Sequence, residues 1–228
     1  DVYKRQTLLK DINPGSDSSS PVYLVAMGNK VYFQATTASE GAELWVSDGT
    51  PNGTTLLKDI YPGSSNGGYP QNLAATQNKI YFSAQDGTSG NELWVSDGTP
   101  NGTTLLKDIN PGSSNSSYPN RLTSIDEKVY FVAYDTNGSE PWVTDGTAIG
   151  TVTLGDLNPG SLSSTNFGIF FSYAETYFTK YGDKVFFPAY NSTYGAEPWI
   201  TNGTAAGTSL LYDIRSGASD GVRTTNFE

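Results

Sequence analysis

Short runs of aromatic and β-branched residues alternate with clusters of Gly, Asn, Asp and Pro along the whole chain. Typical runs are KVYF at 30–33, ELWVS at 43–47 and TLLKDI at 55–60. Runs of this length and composition predict β-strands, and the clusters between them predict turns. No segment shows a long apolar period of 3.6 residues with capping residues, so we expect helices to be nearly absent.

The strand pattern repeats. The motif ELWVSDGT stands at 43–50 and 92–99, and looser copies are EPWVTDGT at 140–147 and EPWITNGT at 197–204. Successive copies are 49, 48 and 57 residues apart. Each copy follows an aromatic run that begins with Lys, and it precedes a copy of the TLLKDI run. A weaker run before the Lys, such as YLVAM at 23–27, completes a unit of four strands.

Four strands per unit at a period of ~40–50 residues are typical of a β-propeller blade. We therefore predict an all-β fold: a propeller-like arc of four four-stranded blades and an orphan N-terminal strand at 7–12, together a fragment of a larger propeller. Pairing of strand 7–12 with the last blade would favour closure. A β-sandwich or a linear β-array is the alternative. The repeats are expected at about 13–60, 61–109, 110–157 and 158–214.

The longer string G-x-E-L-W-x-x-D-G-T-x-x-G-T-x-L-L-x-D-I-x-P-G, at 41–63 and 90–112, resembles the ELWxxDGT-repeat proteins of bacteria, which are also called hyalin-like. The resemblance covers residues 7 to about 217. It implies long, secreted or surface-attached chains with propeller-like repeats and no established enzymatic activity. The third and fourth copies depart from the string, with Pro141 and Pro198 in place of Leu and Asn202 in place of Asp.

The two ends of the chain differ from the repeats. The first six residues, DVYKRQ, match nothing later in the chain and resemble the translation of a sequencing-library adapter. We therefore exclude 1–6 from the fold and expect a single repeat domain at 7–217, followed by a truncated tail at 218–228. The natural chain is expected to continue beyond this piece.

Composition removes several kinds of chemistry. The chain has no His and no Cys, which excludes thiol nucleophiles, disulfides, zinc fingers and Ser-His-Asp triads. A formal net charge of −10 repels phosphate backbones, so nucleic acid is not an expected partner. No stretch approaches the ~20 apolar residues of a membrane span, so we expect no membrane insertion.

Recurring polar residues are the candidates for chemistry. The motif residues Asp48, Asp97, Asp145 and Asn202 are each followed by Gly-Thr, and the Asn favours a role in which the side chain accepts backbone N–H groups within a turn. A calcium site is the alternative, although the spacing does not fit an EF-hand loop. We expect Lys30 opposite Asp48 and Ala35 opposite Glu43, with opposite charges contributing ~0.2–1 kcal/mol across the strands.

The motif tryptophans have two interpretations. A Trp flanked by Leu or Pro and Val inside a strand is typical of a core residue with its N–H bonded locally. Exposed indoles that stack on sugar rings are the alternative. We predict a core role for all four, Trp45, Trp94, Trp142 and Trp199.

The fourth unit carries an aromatic-rich insertion at 166–183. Departures from a repeat often mark the binding face, and the alternation of its aromatic residues allows a two-stranded extension with one face outward. We predict that at least two of the following residues remain exposed and line a ligand groove beside the fourth blade: Phe170, Phe171, Tyr173, Tyr177, Phe178 and Tyr181. A lengthened hairpin packed on its own blade is the alternative.

These observations predict a non-enzymatic extracellular or cell-surface module for interaction or adhesion, with a protein or glycan ligand and no cofactor. Self-association through the open blade edges is expected, because unprotected strand edges promote pairing between chains. A carbohydrate-binding propeller is one alternative. A fragment of a propeller-fold glycan hydrolase is another, although carboxylates that recur equally in every repeat single out no catalytic pair.

Overall fold

The computed structural model describes residues 6–63, 67–112, 115–165 and 177–217. These residues form four antiparallel four-stranded sheets, each built from strands that are consecutive in sequence. The all-β, propeller-type fold expected from the repeats is confirmed. In the described part of the chain, the only helical element is a short 3₁₀ turn at Ala205–Gly207.

Each sheet is one blade, with its strands in the order first to fourth along the chain. The strands of blades 1 and 2 are β1 (Val22–Met27), β2 (Lys30–Thr37), β3 (Gly41–Ser47), β4 (Thr55–Lys58), β5 (Gln71–Ala75), β6 (Ile80–Gln85), β7 (Asn91–Ser96) and β8 (Thr104–Lys107). The strands of blades 3 and 4 are β9 (Asn120–Ile125), β10 (Lys128–Asp135), β11 (Gly138–Thr144), β12 (Val152–Thr153), β13 (Thr179–Tyr181), β14 (Lys184–Asn191), β15 (Gly195–Thr201) and β16 (Ser209–Leu210).

The up-and-down order gives each blade two distinct ends. The hairpins between second and third strands and the connectors between blades lie at one end, which we call the connector face. The hairpins between first and second strands and the DGT turns lie at the other end, the turn face. The predicted register is confirmed, since Ala35 pairs with Glu43 and Val31 pairs with Ser47, which places Lys30 and Asp48 next to each other at the turn face.

The core lies between the blades. The side of a blade that meets the next blade is its forward face, and the side that meets the preceding blade is its rear face. The forward face of blade 1 consists of Tyr32, Leu44, Val46, Leu57 and Ile60, and the rear face of blade 2 consists of Ile80, Phe82, Ala84 and Trp94. Equivalent residues pack blade 2 on blade 3 and blade 3 on blade 4. Both sides of a blade are therefore apolar, which explains the near-continuous hydrophobic runs.

Residues 7–12 were expected to form an orphan strand, and this prediction is wrong. The segment lies on the rear face of blade 1, where Ile12 packs against the cluster of Phe33, Ala35 and Trp45, but no strand pairs with it. A strand requires a neighbour with which to exchange backbone hydrogen bonds, and none of the described residues supplies one. In particular, the segment does not pair with the last blade.

The packing predicts the effect of truncating a motif Trp. Trp94 lies buried between blades 1 and 2, so Trp94→Ala should lower the free energy of unfolding by ~3–5 kcal/mol. The nearly fully exposed Ile149 provides the control, because Ile149→Ala should change stability by less than ~0.5 kcal/mol. Urea unfolding of both variants measures the difference. A Trp94→Ala protein as stable as the parent would contradict the inter-blade core.

Candidate functional site

All four motif tryptophans are buried, so the predicted core role is confirmed. Trp142, for example, stacks on Phe131 of its own blade with ring centroids 6.3 Å apart, and the ammonium group of Lys107 from the preceding blade lies 5.9 Å from its ring. The expected local hydrogen bond is not formed, because no indole N–H has a partner among the described residues. Burial leaves none of these rings available as a sugar platform.

The motif Asp closes a side-chain turn. Asp48 Oδ1 accepts hydrogen bonds from the backbone N–H of Thr50 at 2.9 Å and from its hydroxyl at 2.7 Å, and the Thr50 hydroxyl in turn accepts the N–H of Gly53 at 2.9 Å. These bonds lower the pKa of Asp48. Asp97 and Asp145 repeat the arrangement, and Asn202 makes the same contacts with Thr204.

The close turn also explains why Gly recurs five residues after the motif Asp. A Cβ atom at Gly53 would lie 1.9 Å from Asp48 Oδ1, and one at Gly102 would lie 2.0 Å from Asp97 Oδ1. The turn therefore depends on Asp or Asn, Thr and Gly together. Among the residues that the structure describes, no group of three or more Asp and Glu residues is arranged to hold a metal ion.

The recurring lysines contact neighbouring blades. Lys79 Nζ donates to the Gly146 carbonyl of blade 3 at 2.9 Å, and Lys107 Nζ donates to the Thr151 carbonyl at 2.8 Å. Where both partners are described residues, ion pairs join Lys180 to Asp126 and Lys184 to Asp183. Lys30 lies close enough to Asp48 to lower its pKa slightly, but the expected cross-strand ion pair is not formed. The lysines instead hold backbone carbonyls across the blade junctions.

The motif Glu is a buried acceptor of backbone N–H groups, a role that the sequence interpretation missed. Glu43 is completely buried, and its carboxylate accepts three backbone N–H groups: Ile60 at 2.9 Å, Tyr61 at 3.3 Å and Gly68 at 2.6 Å. One oxygen therefore holds the end of the fourth strand, and the other holds the connector to the next blade. The available signal was the spacing, because the motif Glu always precedes the last residue of the TLLKDI run by 17 positions.

Two further blades repeat this arrangement. Glu92 accepts the N–H groups of Ile109 and Ser117, and Glu140 accepts those of Leu157 and Ser164. The Ser117 and Ser164 hydroxyls each add a short hydrogen bond of 2.5 Å to the same carboxylates. Each carboxylate thus joins its own blade to the segment that begins the next blade.

Burial dominates the electrostatics of these carboxyl groups. Desolvation raises the pKa of Glu43 and of Glu140 to about 7, even though the hydrogen bonds that each group accepts oppose the shift. Desolvation also raises the pKa of Glu92. A nearby carboxylate adds to the effect in each case: Asp59 beside Glu43, Asp108 beside Glu92 and Asp156 beside Glu140.

The predicted aromatic groove is not assembled by the residues that can be described. Phe170, Phe171 and Tyr173 lie outside the described residues. Tyr177 and Phe178 were proposed as groove residues, and this assignment is wrong, because both are buried in the core between blades 3 and 4, where Phe178 contacts Tyr130 and Phe187. Tyr181 is 78% exposed, but it ends β13, the first strand of blade 4. Residues 179–181 thus belong to the blade itself and not to a two-stranded extension.

An open cleft of about 650 Å³ lies between blades 3 and 4 on the turn face. Charged residues of both signs line it, and the Lys180 ammonium binds both oxygens of Asp126 at 2.6 and 2.8 Å. Asp126 is therefore engaged in an ion pair. Glu127 and Asp183 also line the cleft, and Lys184 Nζ lies 3.9 Å from Asp183 Oδ2.

Exposed tyrosines lie instead on the connector face. Tyr69 and Tyr118 occupy equivalent positions before the first strands of blades 2 and 3, each followed by Pro, and both are exposed. Their backbones have φ of 47° and 46°, a left-handed conformation that is uncommon for bulky residues. The backbone of the exposed Tyr134 is bonded to the segment that carries Tyr118, since its N–H donates to the Ser117 carbonyl at 2.7 Å. Strained, exposed aromatic residues on a rigid scaffold are typical of binding surfaces.

Comparison with known proteins identifies solved structures of similar fold. No protein-family model and no curated protein matches the chain. The computationally designed protein Ika8 is 19% identical over 92% of this chain and 53% of its own, with a TM-score of 0.45. A puromycin hydrolase mutant is 14% identical over 80% of this chain and 27% of its own, with a TM-score of 0.50.

A prolyl endopeptidase is 12% identical over 81% of this chain and 24% of its own, also with a TM-score of 0.50. The likeness shows the fold alone. The chain spans about half the length of the designed protein and about a quarter of the lengths of the two hydrolases. No helix in the described ranges is both long and apolar enough to cross a membrane.

The buried carboxyl groups predict a pH dependence of stability. A group whose pKa rises from 4.5 when unfolded to about 7 when folded favours the folded state fully below pH 4.5, and it loses this contribution as the pH rises through 7. We expect the free energy of unfolding to fall between pH 5 and pH 8 by about 1–3 kcal/mol for each such site. Urea unfolding across this range, with Glu140→Gln, measures the slope.

The Glu140→Gln protein should show a shallower pH dependence, because one titrating group has been removed. The exposed Glu127 supplies the control, and Glu127→Gln should keep the parental slope. Equal slopes in the parent and in the Glu140→Gln protein would contradict the raised pKa.

The turn role of the motif Asp predicts that the amide can replace the carboxylate. Because Asn202 already makes these hydrogen bonds, Asp97→Asn should change stability by less than ~0.5 kcal/mol, whereas Asp97→Ala should cost about 1 kcal/mol. Thermal melts measure both variants, in EDTA and in millimolar calcium. We expect calcium to shift the melting temperature of the parent by less than about two degrees. A larger shift that Asp97→Asn abolishes would indicate a metal site instead.

Proposed function

We propose that this chain is a non-enzymatic extracellular or cell-surface repeat module that binds a protein or glycan ligand through its connector face. The observation that carries the proposal is the exposed tyrosine group of Tyr69, Tyr118 and Tyr134. Tyr side chains supply large contact areas at low conformational cost, which suits a recognition surface. The likeness to the ELWxxDGT-repeat proteins supports the secreted or surface-attached location.

The use of the motif carboxylates supports a binding role over a catalytic one. Glu43, Glu92 and Glu140 are buried and hold backbone N–H groups, and the motif Asp residues close turns. A glycan hydrolase needs two carboxyl groups ~5–10 Å apart that face the substrate. The repeated carboxylates serve the architecture, so we rank a hydrolase fragment below a binding module.

Carbohydrate binding is the second candidate, and the same tyrosines favour it. A phenol ring offers an apolar face for stacking and a hydroxyl for hydrogen bonding, which suits a sugar ring. The backbone hydrogen bond from Tyr134 to the segment that carries Tyr118 places two such residues at the same end of blade 3.

A glycan array followed by alanine substitution tests these roles. Loss of one stacking ring should weaken binding about tenfold, because such a contact contributes ~0.5–1.5 kcal/mol beyond its area. We expect this loss for Tyr118→Ala and Tyr134→Ala with an unchanged melting temperature. Tyr181→Ala is the matched control, since Tyr181 is exposed on the turn face. Equal binding by all three variants would exclude the connector face, and turnover of chromogenic glycosides would support the hydrolase.

A further inference from the structure

None of the described residues covers the forward face of blade 4. In blades 1 to 3, two apolar residues of the TLLKDI run or its copy complete this face: a Leu, and an Ile or Leu three positions later. Both are buried against the next blade. Their counterparts on blade 4, Leu211 and Ile214, are 46% and 56% exposed. Ile200 and Phe186 on the same face are also less buried than their counterparts Val46 and Tyr32. An apolar face that is built for a neighbour thus meets solvent.

The same blade carries an incomplete Glu junction. Glu197 is fully buried, and its Oε2 accepts the Ile214 N–H at 3.0 Å, as expected from the repeats. Its Oε1, which in Glu43, Glu92 and Glu140 accepts a connector N–H, has no partner among the described residues. A buried oxygen without a donor is costly, so this position favours an incoming N–H group.

The N-terminal segment, residues 7–20, presents the complementary half of such a junction. It occupies the place of a fourth strand and connector belonging to a blade before blade 1. Lys10 Nζ donates to the Thr54 carbonyl at 2.6 Å, just as Lys107 Nζ donates to that of Thr151 at 2.8 Å. The Thr36 N–H donates to the Ser19 carbonyl at 2.8 Å, just as the Tyr134 N–H donates to that of Ser117.

The groups of this segment that would face a preceding blade are unused. The N–H groups of Ile12 and Ser19 correspond to those of Ile60 and Gly68, which bind Glu43, yet they donate to no described residue. Leu8 corresponds to Leu56, which pairs with Trp45, but Leu8 is 81% exposed.

We propose that blade 4 of one copy accepts the N-terminal segment of a second copy as its fourth strand and connector. Ile12 of the second copy then donates to Glu197 in place of Ile214, and Ser19 donates to the unpartnered Oε1. Leu8 takes the place of Leu210, which lies opposite Trp199 in the single copy, and packs on Trp199. The exchange replaces each bond of the displaced strand and adds one.

The occupant is a second copy because the contact would reproduce the three internal blade junctions. The displaced strand β16 spans only two residues, as β12 of blade 3 does, so the incoming segment has few ladder hydrogen bonds to replace. It also has Tyr212 where Lys10 and Lys107 hold the neighbouring blade. Such a head-to-tail interface uses two different surfaces, so it generates either a closed ring or a filament. The association is independent of the ligand proposed above.

Light scattering on the full chain at ~0.15 M salt, where surface charges are screened beyond ~8 Å, tests the proposal. The parent should have the mass of at least two chains, and Leu8→Asp should reduce it to one chain without lowering the melting temperature, because Leu8 is exposed in the single copy. Ile200→Asp on blade 4 should have the same effect on mass. Ile149→Asp, at an exposed apolar residue away from both ends, should leave the assembly intact.

Mixing separates a head-to-tail contact from a symmetric one. Leu8→Asp copies keep an intact blade 4, and Ile200→Asp copies keep an intact N-terminal segment, so an equal mixture should form one-to-one dimers. A synthetic peptide of residues 6–20 should dissociate the parental assembly, and its Leu8→Asp version should not. If the Ile200→Asp protein does not fold, the peptide experiment tests the proposal in its place. A monomeric parent, an assembly that tolerates Leu8→Asp, or one that Leu211→Glu abolishes would overturn the strand exchange.

Discussion

The fold depends on one buried interaction: a carboxylate in the third strand of a blade that accepts backbone N–H groups from the fourth strand and from the connector. A buried carboxylate is costly unless it is hydrogen-bonded, and here the donors are main-chain groups that would themselves be unpaired. Glu43 satisfies three of them at once. The fourth strands are short, and this interaction holds their ends where the ladder hydrogen bonds stop. Apolar contact between blade faces then follows from the position of the connector.

Much of the fold could be predicted from the sequence because the repeat averages out local ambiguity. A single KVYF run fits a strand or a buried helix turn, but its recurrence before ELW and TLLKDI at constant spacing fixes a four-stranded unit. The Trp role followed from its apolar neighbours. The Asp turn followed from Asn202, since a substitution that keeps the acceptor oxygen shows what the oxygen is for.

The less regular parts could not be predicted from pattern. Residues 7–12 match TLLKDI, but a strand needs a partner, and sequence identity does not supply one. Tyr177 and Phe178 stood in an aromatic-rich insertion, yet they fill the core that the first strand of blade 4 requires. The motif Glu was expected opposite Ala35 among the cross-strand charges, and its burial was not predicted, since charged residues are mostly exposed. Its constant distance from Ile60 and its counterparts was visible, but distance alone does not distinguish a cross-strand pair from a buried acceptor.

The direction of the Glu contacts has a consequence for synthesis on the ribosome. Every amide that Glu43 holds lies later in the chain, the last of them 25 residues downstream. At roughly 5–20 residues per second, this carboxylate waits about one to five seconds for its final donor. Water therefore binds the carboxylate of each third strand until its main-chain donors have been synthesised, and a blade is complete only after the next one has begun. The blades are thus expected to assemble in order from the N-terminus, and the forward face of each finished blade is available for the next blade to pack on.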